Sequence, residues 1–370
     1  MSGQKRDKVL LNEMAAPLLA WYQEHKRSLP WRDDPSPYHV WISEIMLQQT
    51  RVEAVKGYYS RFLTELPDIE ALAAVPEEKL LKLWEGLGYY NRARNLQKAA
   101  GKIVAAYDGK MPSDYDEIIS LPGIGAYTAG AIASIAFGQP VAAVDGNVLR
   151  VFARYLADPT DISDEGLKKR RKAEIEQMIP KDHPGIFNQA LMDLGAMICL
   201  PNGEPKCTEC PLRKKCVAHK EGRTAELPVK AAKAKRRIEE KTVFVIQYQD
   251  KVLIRKRPGK GLLAGLYELP AAQGYLERKD ALVYVEELGF QPLHIEKLPD
   301  SKHIFSHLEW HMRGYLVRAD ELARKAGAWQ SDENCRLETP GSIDVNYPIP
   351  SAFAAYAPYI RKREEDADPV

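Results

Sequence analysis

Three groups of residues in this chain have the types and spacing for chemistry. Glu44 lies in the run Trp41-Ile42-Ser43-Glu44-Ile45-Met46-Leu47-Gln48-Gln49-Thr50. On a helix it shares a face with Val40, Trp41, Leu47 and Gln48, so its carboxyl sits among apolar neighbours and its pKa rises. Such a carboxyl holds a proton near neutral pH and can act as a general acid; an ion-paired helical glutamate is the plainer alternative. Asp145, in Val144-Asp145-Gly146-Asn147-Val148, is a second carboxylate, delivered just before a helix over Leu149–Tyr155. As an N-cap it accepts backbone N–H bonds, which would also keep it ionised. Of the five cysteines, Cys199, Cys207, Cys210 and Cys216 are spaced Cys-x7-Cys-x2-Cys-x5-Cys, while Cys335 stands alone. In a reducing compartment such a group binds metal more often than it forms disulfides, and zinc is the generic occupant of four thiolates.

A fourth signal is structural as much as chemical. Leu121-Pro122-Gly123-Ile124-Gly125-Ala126-Tyr127 precedes a small-residue helix over Thr128–Phe137. Gly123 and Gly125 around one apolar residue make a tight hairpin between helices. The second helix then begins with unpaired backbone N–H groups suited to a phosphate. A turn with no ligand is the alternative.

These residues need elements to hold them, and the chain is long enough to supply them. Its 370 residues predict two or three domains, each with its own core. Apolar residues make up 45% and charged residues 28%, a globular balance, and no run approaches the ~18 consecutive apolar residues of a membrane span. The first residues alternate charge and apolarity without the apolar core of a signal peptide, which places the protein in the cytoplasm. Lys+Arg 53 against Asp+Glu 51 leaves only +2. An anionic partner must therefore be held by local patches and helix ends.

The pattern is helical to about residue 218, with apolar residues at three and four, as in Leu80, Leu83, Trp84 and Leu87. Residues 226–241 carry Lys230, Lys233, Lys235, Arg236 and Arg237 with no acid between Lys230 and Arg237, and read as an exposed basic linker, either simply solvated or running along DNA phosphates. Beyond it the period changes to two. Strands are expected at Thr242–Tyr248 and Val252–Arg257, joined at Gln249-Asp250-Lys251, with a helix at Leu282–Leu288 and a strand at Ile304–Val317. The expected layout is a mainly α domain over 1–225, the linker 226–241 and an α+β domain over 242–362.

Leu-Pro-Gly-Ile-Gly, then Val-Asp-Gly-Asn-Val, then the four cysteines, in this order, resemble the helix-hairpin-helix glycosylases of the endonuclease III superfamily, specifically the MutY-type adenine DNA glycosylases. Leu29-Pro30-Trp31-Arg32, the Glu44 motif and Trp84-Glu85-Gly86-Leu87-Gly88-Tyr89-Tyr90 also look like that family's signatures. The resemblance covers nearly the whole chain. It implies that Glu44 is the catalytic acid and that Asp145 stands beside an oxocarbenium-like sugar, by analogy with glycoside hydrolysis. Bifunctional relatives carry a lysine where this chain has Tyr127. Tyrosine forms no Schiff base, so a monofunctional enzyme is implied, with Tyr127 and Asn147 supporting Asp145.

The resemblance further implies a [4Fe–4S] cluster on Cys199, Cys207, Cys210 and Cys216, although the first gap is seven residues where the family usually has six. Lys206, Arg213, Lys214 and Lys215 would make that loop a basic finger for phosphates. Trp31, Arg32 and Gln189 match residues around an extruded adenine; many relatives have glutamate at Gln189. Gln49 and Tyr89 match side chains inserted into the duplex, Thr50 and Leu87 lie beside the opposing base, and Gly123 and Gly125 form the phosphate-binding hairpin.

The C-terminal domain resembles the Nudix-like domain of the same glycosylases. Its helix reads Ala281-Leu282-Val283-Tyr284-Val285-Glu286-Glu287-Leu288-Gly289 and lacks the Arg-Glu pair of hydrolytic Nudix enzymes. That leaves recognition, with Phe305-Ser306-His307 matching a loop that reads 8-oxoguanine.

The expected function is removal of adenine mispaired with 8-oxoguanine or guanine by base flipping, leaving an abasic site. The expected partner is double-stranded DNA carrying A:8-oxoguanine or A:G mispairs, met by a monomer in the cytoplasm at the nucleoid, with no membrane. A thymine or oxidised-pyrimidine glycosylase/lyase is the rival enzyme, and Tyr127 argues against it. A non-catalytic iron–sulfur DNA sensor is the other rival, and it has no need of Glu44 and Asp145 together.

Overall fold

The computed structural model describes residues 3–231, 235–322 and 328–361. Lys233 of the expected linker, and residues 323–327 and 362 of the expected second domain, lie outside the described residues. By contact the chain divides into Met1–Val75 with Arg94–Lys233, and Pro76–Ala93 with Ala234–Val370.

The first unit is helical. Its core is built where helices Ala15–His25, Gly146–Leu156 and Pro184–Met197 bring together Leu18, Trp21, Tyr22, Val151, Phe152, Phe187, Leu191 and Leu194. Two of these helices begin at a recognisable local signal. Asp145 caps Gly146–Leu156, whose end is marked by Ala157 at φ 55°, and Pro184 opens Pro184–Met197 at a position where no N–H is missed. The expected hairpin joins helices Tyr115–Ile119 and Ala126–Ile135. Gly123 there has φ 76°, and a Cβ on it would meet Asn95 Cβ at 2.5 Å, so glycine is required twice over. Gly130, on the second hairpin helix, lets the backbone before Asp145 approach closely: an added Cβ would meet the Ala142 carbonyl oxygen at 2.3 Å.

The second unit is organised on a mixed sheet with strands β1 (Arg237–Tyr248), β2 (Lys251–Lys256), β3 (Tyr267–Glu268), β4 (Ala271–Gln273), β5 (Phe290–Ile304), β6 (Leu308–Leu322) and β7 (Cys335–Glu338). The order is β3-β2-β1-β6-β5, with β4 beside β1 and β7 beside β2. The β1–β6 pairing is parallel and β5–β6 antiparallel. Val243 and Val245 face one core with Trp310, Met312 and Phe353, while Phe244 and Ile246 face another with Ala281 and Val285 of helix Arg278–Leu288. Apolar side chains on both faces make the central strand a continuous hydrophobic run.

Several sequence-based boundaries differ from the structure, most by a few residues at element ends, and three matter for the architecture. The linker was expected to reach residue 241, but β1 begins at Arg237, because Arg237–Lys241 pair in register with Leu308–Met312. The single strand expected at Ile304–Val317 is two strands joined at Phe305-Ser306-His307. Its partner β5 is disguised by Pro292, Pro299 and bulges near Pro292 and Leu298, which break the alternation. Finally, residues 76–93 group with the C-terminal unit. Lys82 Nζ donates to the Ile343 and Tyr347 carbonyls, Lys256 pairs with Glu78 at 2.6 Å, and Ile349 N–H donates to Glu85 Oε1 at 2.7 Å.

Candidate active site

Helix Pro37–Leu47 starts at Ser36, whose hydroxyl accepts from His39 N–H, with Pro37 at the first helical position. The segment is apolar almost all round, so Val40, Trp41, Ile42, Ile45 and Met46 are buried and carry Glu44 inside with them. Glu44 is 5% exposed, and its Oε2 is buried with no hydrogen-bond partner. Burial pushes its carboxyl from an ordinary 4.5 up to about 7, helped by the charge of Asp145, while the Tyr127 hydroxyl and Arg32 pull the other way. An orphaned acid oxygen facing a cavity is poised for a proton exchange with whatever enters.

That cavity has a volume of about 200 Å³. Glu44, Tyr127, Asp145 and Asn147 all line it, as do Trp31, Arg32, Thr50 and Gln189. Asp145 caps the following helix by accepting from Val148 N–H at 2.7 Å, and Asn147 Nδ2 donates to its other oxygen at 2.8 Å. These bonds were expected to keep it ionised. Burial is the stronger influence and leaves its pKa above the usual value, although the bonds and Arg150 oppose it. Tyr127 is held neutral, its phenol pushed far up by burial and by the two carboxylates, and its hydroxyl donates to Met192 Sδ at 3.8 Å.

Several residues that hold the site carry no sequence signal of their own. Asp193, fully buried, takes both arms of the Arg32 guanidinium, Nη1 to Oδ2 at 2.8 Å and Nη2 to Oδ1 at 2.9 Å, and also Arg27 Nε at 2.7 Å. Burial alone would raise the Asp193 pKa, but the bonds and charges of Arg32 and Arg27 hold it below the usual range. Tyr22 donates its hydroxyl to Gln189 Oε1 at 2.7 Å. Asn188, fully buried, accepts from Ala143 N–H at 3.1 Å and donates to Ser134 Oγ at 2.8 Å and the Val141 carbonyl at 2.9 Å, tying the segment before Asp145 to the hairpin helix. The only hints the sequence offers are that Asn188 stands beside Gln189 and Arg27 two residues before Leu29; Asp193 and Tyr22 have none.

The remaining expected residues are not part of the cavity lining. Gln49 is exposed with φ 59°, and Tyr89 is 49% exposed with φ 48°, left-handed conformations that cost a non-glycine residue energy. Leu87 is buried in the unit that contains residues 76–93. Phe305, Ser306 and His307 form the β5–β6 turn, where Phe305 rests edge-on against Trp310 at 4.9 Å and Ser306 Oγ lies 3.1 Å from the Tyr89 hydroxyl. Gly125 begins the second hairpin helix with open space where a side chain would be.

Cys199, Cys207, Cys210 and Cys216 together line one small cavity of about 30 Å³. Among the described residues, no three His, Cys, Asp or Glu side chains stand close enough to hold a single metal ion. The four cysteines share the lining of that one space. Burial pushes the Cys210 thiol up to about 12. The seven-residue first gap is turned at Gly203, with φ 73°. No helix among the described residues is long and apolar enough to cross a membrane.

The profile of the HhH-GPD superfamily of base excision DNA repair proteins matches residues 42–177, and that of the NUDIX domain matches 242–357. An adenine DNA glycosylase of Buchnera aphidicola subsp. Baizongia pistaciae is 38% identical over 310 residues, covering 83% of this chain and 86% of its own. The human adenine DNA glycosylase is 34% identical, covering 82% of this chain and 66% of its own. Among solved structures, a thermostable thymine-DNA glycosylase is 30% identical with a TM-score of 0.52, covering 60% of this chain and 100% of its own. An endonuclease III trapped in a covalent complex with DNA is 29% identical with a TM-score of 0.50, covering 60% of this chain and 99% of its own. Two matching domains in one order, and this identity sustained along most of the chain, mean that the protein belongs to the adenine DNA glycosylase family of base excision repair.

Proposed function

We propose that this adenine DNA glycosylase excises adenine mispaired with 8-oxoguanine or guanine in double-stranded DNA, leaving an abasic site without cutting the strand. The observation that carries the reading is a buried acid with a pKa near 7, Glu44, sharing one nucleobase-sized cavity with a second carboxylate, Asp145. The adenine, flipped out of the duplex, enters between Trp31, Arg32 and Gln189. Glu44 gives its proton to a ring nitrogen and turns the base into a neutral leaving group. The C–N bond breaks with positive charge growing on the sugar, and Asp145 stabilises that charge or traps it transiently. Asn147 holds Asp145 in place, and Tyr127, with no amine, leaves no Schiff-base route to strand cleavage. Water then adds to the sugar.

Gly123 and Gly125 take a backbone phosphate at the hairpin. Gln49 and Tyr89 enter the duplex, and Thr50 and Leu87 touch the opposing base. Phe305-Ser306-His307 reads 8-oxoguanine through short hydroxyl and imidazole contacts. Cys199, Cys207, Cys210 and Cys216 hold a [4Fe–4S] cluster; four cysteines lining one space supply the four thiolates such a group takes. When bound, that cluster supplies the cross-link that fixes the loop carrying Lys206, Arg213, Lys214 and Lys215 against phosphates.

The test is direct. Purified protein is incubated with duplexes carrying A:8-oxoguanine, A:G, T:G or an oxidised pyrimidine, and half of each sample is treated with alkali. The expected result is cleavage only of the adenine strand and only after alkali. Strand breaks without alkali, or excision of thymine, would transfer the assignment to a bifunctional pyrimidine glycosylase.

A further inference from the structure

Arg154 is a buried cation that the excision chemistry leaves without a task. It lies on helix Gly146–Leu156 and is 4% exposed. Its Nη1 donates to Cys199 Sγ at 3.3 Å and to the Leu200 carbonyl at 2.8 Å, and its Nε donates to the Leu227 carbonyl at 2.8 Å. Its own carbonyl accepts from Cys216 Sγ at 3.4 Å. The first cysteine of the loop is therefore tied to this residue through its sulfur, and the same residue grips the chain where it leaves the loop. That exit is pinned twice more. Ile162 N–H donates to the Val229 carbonyl at 3.1 Å, and Ala231 N–H donates to Asp161 Oδ2 at 2.9 Å.

We infer that Arg154 is a positioning residue for the metal centre, which polarises the Cys199 sulfur and couples it to the strap Leu227–Ala231. This rests on the cluster reading above. A guanidinium buried beside a ligand sulfur acts in a medium that screens little, so its charge weighs heavily on the centre. Reduction adds negative charge to a cluster, and a fixed cation with an N–H to sulfur favours the reduced form. The same guanidinium holds Leu227, so when the metal leaves and Cys199 no longer presents a fixed sulfur, one of the anchors of the strap is weakened.

The experiment compares loaded full-length protein with Arg154→Gln, Arg154→Lys and Asp161→Ala. Four quantities are read: iron and sulfide content, the rate of iron release to a chelator, the reduction midpoint by spectroelectrochemistry, and the rate of tryptic cleavage in Lys230–Arg237. Arg154→Gln should release iron about 10–100-fold faster, shift the midpoint to more negative potential and be cleaved faster. Arg154→Lys keeps the charge but cannot span sulfur and both carbonyls, so it should lie between. Asp161→Ala should be cleaved faster with iron release and midpoint unchanged, since it loosens only the strap. If Arg154→Gln does not fold, Arg154→Lys carries the comparison, and parent protein stripped of metal must be cleaved faster than loaded parent. Four irons in the parent with the same midpoint and iron release in folded Arg154 variants would overturn the inference and leave the cluster reading intact. One zinc and no sulfide in the parent would overturn the cluster reading itself, and with it the effect on the midpoint.

Discussion

The cavity around Glu44 and the turn at Phe305-Ser306-His307 solve opposite problems. The cavity takes carboxylates out of water, and Glu44 and Asp145 both have raised pKa values because burial outweighs their partners. The turn instead keeps Ser306 and His307 exposed at the tip of a long hairpin and buries only the support beneath them, Trp310 under Phe305. Chemistry on a base needs charges that solvent cannot screen. Reading a base edge needs donors that can reach it, and each such bond is worth little. Substitutions in the first region should therefore cost about 10²–10⁴-fold in rate, and substitutions in the second a few-fold to about a hundredfold in selectivity.

Glu44→Gln is the sharpest way to break that contrast. Loss of a general acid costs about 10²–10⁴-fold, so single-turnover excision should fall at least a hundredfold while duplex binding persists. A tenth of the parent rate remaining would remove Glu44 from the role of acid. The same residue predicts a pH dependence. Excision by the parent should decline as pH rises through about 7 and Glu44 loses its proton. Because the folded pKa is raised, the native state binds this proton more tightly than the unfolded chain does. Stability is then lost as pH climbs from 4.5 to about 7, on the order of 3 kcal/mol at about 1.36 kcal/mol per unit. Glu44→Gln should thus unfold at higher denaturant than the parent at pH 8, with the gap closing toward pH 4.5.

Asp193→Asn tests whether the adenine pocket depends on a buried ion pair. Arg32 and Arg27 would keep their charges and lose their anion, a change worth about 3–5 kcal/mol when one partner of a buried pair is removed. Equilibrium unfolding should show that loss, together with weaker binding of an uncleavable adenine analogue. Tyr127→Lys gives a qualitative readout. An amine in this cavity should allow borohydride trapping of a covalent DNA adduct that the parent does not form, and a folded, DNA-binding variant with no adduct would place residue 127 away from the sugar.

The smallest effects belong to the turn. Ser306→Ala with His307→Ala should reduce the preference for 8-oxoguanine over guanine by a few-fold to about a hundredfold, since one or two hydrogen bonds are worth about 0.5–3 kcal/mol. Truncation after residue 225 should remove that preference and keep excision opposite guanine. It also takes away the partners of Lys82, Glu78 and Glu85, so the shortened protein should melt lower and be cleaved by protease first within residues 76–93. Equal selectivity in all three proteins would show that the second unit has another task.

What the sequence made legible was local. Glu44, Tyr127, Asp145, Asn147 and Arg32 sit in short motifs, and a motif already contains the turn or cap that aims its side chain; Gln189 was placed by the resemblance alone. Asp193 was illegible because its partners Arg27 and Arg32 are far away along the chain and an aspartate on an apolar helix has no pattern to announce it. β5 was hidden by its prolines and bulges. The grouping of residues 76–93 with the C-terminal unit depends on Lys82 and Glu85 meeting backbone groups beyond residue 340, a match of shape that no periodicity encodes.

Gly130 carries a consequence for how this enzyme can vary. The gap between the hairpin helix and the segment leading to Asp145 is narrower than a methyl group, with the Ala142 oxygen 2.3 Å from where a Cβ would stand. Any other residue there must push backbone against backbone, because neither neighbour is a side chain that can swing aside. Tyr127 travels with one wall and Asp145 with the other. The spacing of the two backbones that carry Tyr127 and Asp145 thus depends on an atom that glycine omits.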